Sequence, residues 1–259
     1  VPVTSSSPAE GIRDSLEDEA RRLLGAAQAN GVPLRLLGGM GIRLLLGERL
    51  DPCFARPIED LDFIAPRRAG ASVEELLSAH GWEPRRRFNA LNGARRLLFD
   101  EPAGGRRVDV FVGDFRMCHT LPLTERLDAH EQTLPAAELA LTKLQIVALN
   151  AKDRGDLYAL LLGCEVADHD AGAAIDAHRI AALASANWGL HHTIELNLAR
   201  LREGLSATAL PDARRELIAQ RIAALADALE RAPKSRSWRL RDRVGERRRW
   251  YEEPEEVER

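Results

Sequence analysis

The sequence predicts a mixed α/β first half and an all-helical second half. Three observations predict this. Up to residue 134, apolar runs of strand length alternate with segments of helical period. After Pro135 only the helical period continues. "RRLLFDE" and "RRVDVFVG" flank Ala103-Gly104-Gly105, the pattern of a hairpin.

Taken in order, residues 9 to 30 form an amphipathic helix, with Ile12, Leu16, Ala20, Leu23, Leu24 and Ala27 on one face and Asn30-Gly31 at its end. "VPLRLLGG" is a strand running into a glycine turn, and "MGIRLLLGERL" is a helix leaving it. Residues 48 to 59, punctuated by Pro52 and Pro57, form a loop. "DLDFIAP" is the second strand. "SVEELLSAHG" is a helix in which Ser72 as N-cap and Glu75 form a capping box. "WEPRRRF" is a strand candidate ahead of the hairpin. The helices after Pro135 begin with "PAAELALTKLQIVALNA" and "DRGDLYALLLGCEV". The expected divisions are an N-terminal helix (1–31), a core (32–134), a helical domain (135–230) and a charged tail (231–259).

Composition narrows the class. Of 259 residues, 45% are apolar and 30% charged, as in soluble globular proteins. No apolar run is long enough to span a membrane, and "VPVTSSSPAE" lacks the basic-then-apolar order of a secretory signal. Cys53, Cys118 and Cys164 are scattered and suggest neither zinc nor disulfides, so a cytoplasmic location is expected. The net charge of −3 excludes a polycation. Nine basic residues nevertheless lie between Arg231 and Arg249, and five glutamates between Glu252 and Glu258. Lysine is rare: only Lys143, Lys152 and Lys234 occur.

Asp60 and Asp62 stand two apart in an apolar strand, so their side chains share one face. Adjacent buried carboxylates repel, and a cation between them offsets that cost. Asp109, between Val108 and Val110, places a third carboxylate in a strand that can pair with the first. Three such oxygen donors suit magnesium, which completes its shell with phosphate oxygens and water. Two ions roughly 3.5–4 Å apart would suit phosphoryl or nucleotidyl transfer. Gly38-Gly39 sits between a strand and a helix, where backbone amides can approach phosphate.

These residues resemble the DNA polymerase beta-type nucleotidyltransferase superfamily. The shared pattern is Gly38-Gly39, then Asp60-Leu61-Asp62, then Asp109 in a later strand. Within it the chain looks most like the AbiEii-type toxins, on "RPIEDLDF" and on "LTKLQIVALNAKDRGDLYALL", which carries Lys143, Asp153 and Asp156. The resemblance covers roughly residues 32 to 165. It implies an α+β nucleotidyltransferase fold with a twisted mixed sheet and flanking helices. It also implies two Mg2+ ions on Asp60, Asp62 and Asp109, and a nucleoside triphosphate as substrate. The triphosphate would be held by Gly38, Gly39 and Lys143, with Asp153 and Asp156 in support. RNA, including tRNA, or a small molecule would be the acceptor, and an antitoxin protein a further partner. A nucleotide-binding module without turnover is the alternative. One departure is the twenty-residue spacer from Gly39 to Asp60, longer than in compact members.

Each feature also has a plain structural reading. Asp-x-Asp occurs in acidic turns, and Gly-Gly in any tight turn. Asp153 and Asp156 suit the first turn of a helix. Lys143 would be a solvated helix residue. His169 fits a cap or loop, His119 a structural histidine, and His191-His192 packing. The basic tail with Trp238 and Trp250 fits either RNA contact or a solvated helix, and the acidic residues after Tyr251 would neutralise it if they folded back.

Overall fold

The computed structural model describes residues 8–102, 105–169 and 174–253, with side chains from residue 16 onward. Ala103-Gly104 of the hairpin, and Glu255, Glu256 and Glu258 of the tail, lie outside the described residues.

The first half holds α1 (Pro8–Ala29), β1 (Arg35–Leu37), α2 (Gly38–Leu46), β2 (Asp60–Ala65), α3 (Gly70–Ala79), β3 (Glu83–Pro84), α4 (Arg86–Asn92), β4 (Arg96–Asp100) and β5 (Arg107–Val112). The five strands form one mixed sheet in the order β1-β2-β5-β4-β3. β2 and β5 pair in parallel at its centre, and the other pairs are antiparallel. The outer edge of β1 is covered: Leu36 N–H donates to Gln132 O, and Leu134 N–H donates to Leu36 O, both at 2.9 Å. A covered edge cannot recruit foreign strands.

Alternation along the strands gives the sheet two unlike faces. On one, Leu36, Leu61, Phe63, Ala65, Leu97, Phe99, Val108, Val110 and Val112 pack against α1 and α3. On the other, Leu37, Ile64 and Phe111 join a second core. That core runs through α2 into α5 (Ala136–Leu144) and α6 (Ala151–Gly163), then α7 (Ala177–Ala186), α8 (Trp188–Gly204) and α9 (Asp212–Arg231). Two short strand pairs complete the fold: β6 (Phe115–Arg116) with β7 (Thr120–Leu121), between β5 and α5, and β8 (Val166–Ala167) with β9 (Ile175–Asp176), between α6 and α7. No helix among the described residues is long and apolar enough to cross a membrane. All three cysteines are free.

Several expectations are corrected. "WEPRRRF" gives only the short β3, because Arg86–Asn92 turns into α4. The cause is tertiary: the buried Asn89 side chain accepts from Leu98 N–H at 2.8 Å and donates to Leu98 O at 3.2 Å. It satisfies backbone groups that a further strand would otherwise pair with. Ser72 is not an N-cap, since α3 starts at Gly70 straight from a 3-10 turn, with Ala69 at the cap and no side-chain bond. Gly38-Gly39 is no turn ahead of a helix but the first residues of α2. The loop before β2 contains two 3-10 turns. The first helix after Pro135 stops at Leu144, and α6 starts afresh with Asn150 accepting from Asp153 N–H at 3.0 Å.

The tail folds back as a structural element. It contributes α10 (Arg236–Val244), whose Asp242 accepts from Trp188 Nε1 at 2.7 Å. The Arg241 guanidinium lies 4.4 Å from the centre of the Trp188 ring. Trp238 meets His191 edge-on, and His192 stacks on Trp188. Trp250 Nε1 donates to Thr193 Oγ1 at 3.1 Å, and Glu252 N–H donates to Cys118 O at 3.0 Å. Arg249 pairs with Glu253.

Candidate active site

The register of the central strands builds the site. Asp62 of β2 lies opposite Asp109 of β5, and on its other side opposite Leu37 of β1. Asp60 and Asp62 share a face by alternation, so three carboxylates gather at one end of the central pair. Asp60 is exposed, Asp62 half-buried and Asp109 buried. Burial, then the charges of Asp60 and Asp109, push the Asp62 carboxyl well above its usual range. The charges of Lys143 and Arg96 pull the other way. Burial also raises the Asp109 carboxyl, against the hydrogen bond from Arg96.

Gly38 follows β1 directly and begins α2, and it faces Asp62. Its φ is +64°, and a Cβ there would lie 2.0 Å from Asp62 Oδ2. The position therefore demands glycine twice over: for its backbone conformation and for room. The start of α2, with its unpaired amides, sits beside the carboxylate. Gly38→Ala is expected to destabilise the chain by about 1–3 kcal/mol and to displace Asp62. A thermal melt that matches wild type would contradict this.

Two arginines that the sequence reading left without a role complete the site. Arg96 of β4 clasps Asp109: Nε donates to Oδ1 at 2.9 Å and to Oδ2 at 3.1 Å, and Nη2 also reaches Oδ2. Arg56, in the loop before β2, donates to both oxygens of Asp156, Nε at 3.0 Å and Nη2 at 2.9 Å. Its Nη2 would lie 2.6 Å from a Cβ on Gly39, so it also flanks the start of α2. Lys143, on α5, bonds Asp153 at 2.8 Å and Asp156 at 3.0 Å, both on α6. Its side chain is only 13% exposed. It is therefore no solvated helix residue. Burial opposes its charge, but Asp156 and Asp153 outweigh that and raise its pKa. Burial raises Asp156 as well, and the hydrogen bond from Arg56 with the charge of Lys143 more than reverses it. The signal for Arg56 was its place four residues before Asp60; for Arg96 it was a cation in a strand beside that of Asp109.

The fit to magnesium can be tested on the donors. They are hard oxygens that repel one another at Asp62, as a cation site requires before it is filled. Asp109 offers about four lone-pair sites. Arg96 touches both of its oxygens, so a cation there would share the carboxylate with the guanidinium. Among the described residues no group of three or more aspartate, glutamate, histidine or cysteine side chains is placed to hold a metal ion, so Asp60, Asp62 and Asp109 would have to close up around one.

The histidines stand apart. His119 is buried and lies 2.9 Å from Thr193 Oγ1, and burial lowers its pKa to about 4. It is structural. His191 and His192 pack against the tail, and His169 is exposed in a bend. Comparison with protein-family models gives no match, and no curated protein matches the chain.

Proposed function

We propose that this chain is a magnesium-dependent nucleotidyltransferase of the AbiEii-like kind. It would move a nucleoside monophosphate from a nucleoside triphosphate to an acceptor hydroxyl or phosphate. The observation that carries the reading is the pairing of Asp62 with Asp109 across the central strands, opposite the glycine start of α2. The sheet, with α2 leaving β1 directly, is compatible with the nucleotidyltransferase fold.

In this reading Asp60 and Asp62 would hold two magnesium ions, and Asp109 one of them. Bound magnesium supplies neutralisation of phosphate charge and a lower proton affinity at the acceptor oxygen. Gly38 and Gly39 offer backbone amides to the phosphates. Lys143 adds positive charge on the same side, and Asp153 and Asp156 hold it in place. Burial makes Asp109 a better proton acceptor than an ordinary carboxylate. The acceptor is an RNA, including tRNA, or a small molecule, and a cognate antitoxin is the expected protein partner.

A second reading is a nucleotide-binding module without turnover. It draws on the clasp of Arg96 over Asp109 and on the saturation of Lys143 by two aspartates. Incubation with each nucleoside triphosphate labelled at the α-phosphate, with RNA, protein or small-molecule acceptors, separates the two. Label should move to an acceptor, and the transfer should stop with chelator and in Asp109→Asn. Nucleotide binding without transfer would favour the module, and no binding would sink both.

A further inference from the structure

Beside Asp109 lies a notch of about 90 Å3 lined by Arg95, Arg96, Phe111, Arg116, Met117 and two residues of the tail, Glu252 and Glu253. Three arginines thus contribute to its lining, and Arg116 Nη2 also lies 3.9 Å from Asp114 Oδ2. Arg96 is the one that clasps Asp109, and its guanidinium lies 5.0 Å from the centre of the Phe111 ring. Arg95 and Arg116 are exposed.

We propose that this notch is a phosphate-binding subsite on the acceptor side of the site, and that Glu252 and Glu253 occupy it until a phosphate displaces them. The proposal deepens the nucleotidyltransferase reading and rests on it for the word acceptor, though not for the binding itself. Three features carry it. First, arginine presents a planar fork that matches phosphate as well as carboxylate, so the two anions compete for one surface. Second, the tail is delivered there by fixed anchors: the Trp250 bond to Thr193, and the Glu252 amide on Cys118 O. Third, the occupants are weakly held. Glu252 is exposed, and the Glu253 side chain is 77% exposed and paired with Arg249. Exposed carboxylates add little to stability, so they delay a phosphate without excluding it. The ligand is a phosphate ester, either in a polynucleotide backbone or on a small sugar phosphate.

The test uses the full chain in chelator with no nucleoside triphosphate, so it reads out whether or not transfer occurs. A fluorescent single-stranded oligonucleotide with a 5′-phosphate is titrated by anisotropy, with ribose 5-phosphate as competitor. Glu252→Gln/Glu253→Gln should bind the probe about fivefold more tightly. Adding Arg95→Ala/Arg116→Ala should remove that gain, with circular dichroism confirming that the variants are folded. Competition by ribose 5-phosphate would assign the notch to any phosphate ester; its failure to compete would assign it to a polynucleotide. An unchanged affinity in the glutamine variant, a gain that survives loss of the arginines, or no binding by any form would overturn the proposal. Failure of the labelled-nucleotide assay with this binding intact would reject the transferase and keep the subsite.

Discussion

Asp62→Asn is expected to abolish nucleotidyl transfer, by roughly a thousandfold or more, while making the folded chain more stable at neutral pH. Both effects follow from one cause. Burial and two neighbouring carboxylates raise the Asp62 carboxyl. The folded chain therefore binds more protons than the unfolded chain between the ordinary carboxylate range and the raised value. Stability falls as pH rises through that window, and the penalty is complete above it. Asparagine removes the charge and keeps the shape, so the gain should be about 1–2 kcal/mol near neutrality. It should vanish below the ordinary carboxylate range. Magnesium should raise the melting temperature of the wild type and leave that of Asp62→Asn unchanged. Melts across pH with and without the metal check all three statements, and a variant less stable than wild type at pH 7 would refute the electrostatic account.

Lys143→Ala is expected to be costly in the opposite sense. The lysine is the buried cation between Asp153 and Asp156. Its removal leaves Asp156 with Arg56 and strips Asp153 of the Lys143 ion pair. Breaking a buried pair by deleting one partner costs about 3–5 kcal/mol, a drop in melting temperature of roughly 10 °C. Nucleotide affinity should fall as well. Lys143→Ala/Asp153→Ala should recover part of the stability, because the two residues share one interaction, without recovering nucleotide affinity. If stability and affinity returned together, Lys143 would be a structural residue only.

How much of this was legible in the sequence depended on the range of the interaction. Period-two alternation alone puts Asp60 and Asp62 on one face, and the apolar setting of Asp109 puts it in a neighbouring strand. Lys143 stood out in the sequence only by its isolation among arginines, and its burial between two aspartates had no local signal. The partners of these residues were not legible. Asp156 and Arg56 are one hundred residues apart, and no local pattern joins them. The strand expected at 82–88 failed for a related reason, since the Asn89 bond to Leu98 depends on tertiary contact. Ser72 had the right chemistry for a cap, but the preceding 3-10 turn had already started the helix. The tail was open to two readings, and its docking on α8 depends on Trp188, His191 and His192, far away in sequence.

The parallel pairing of β2 with β5 has a mechanical consequence. Both strands have hydrogen-bonded neighbours on either side, and the opposite face of the sheet is sealed by α1 and α3. Backbone in that position opens only when the whole domain opens. Asp62 and Asp109 are carried by the central strands, whereas Arg56 rides on a loop and Glu252 on the tail. The anionic centre is thus set in a frame that local opening does not reach.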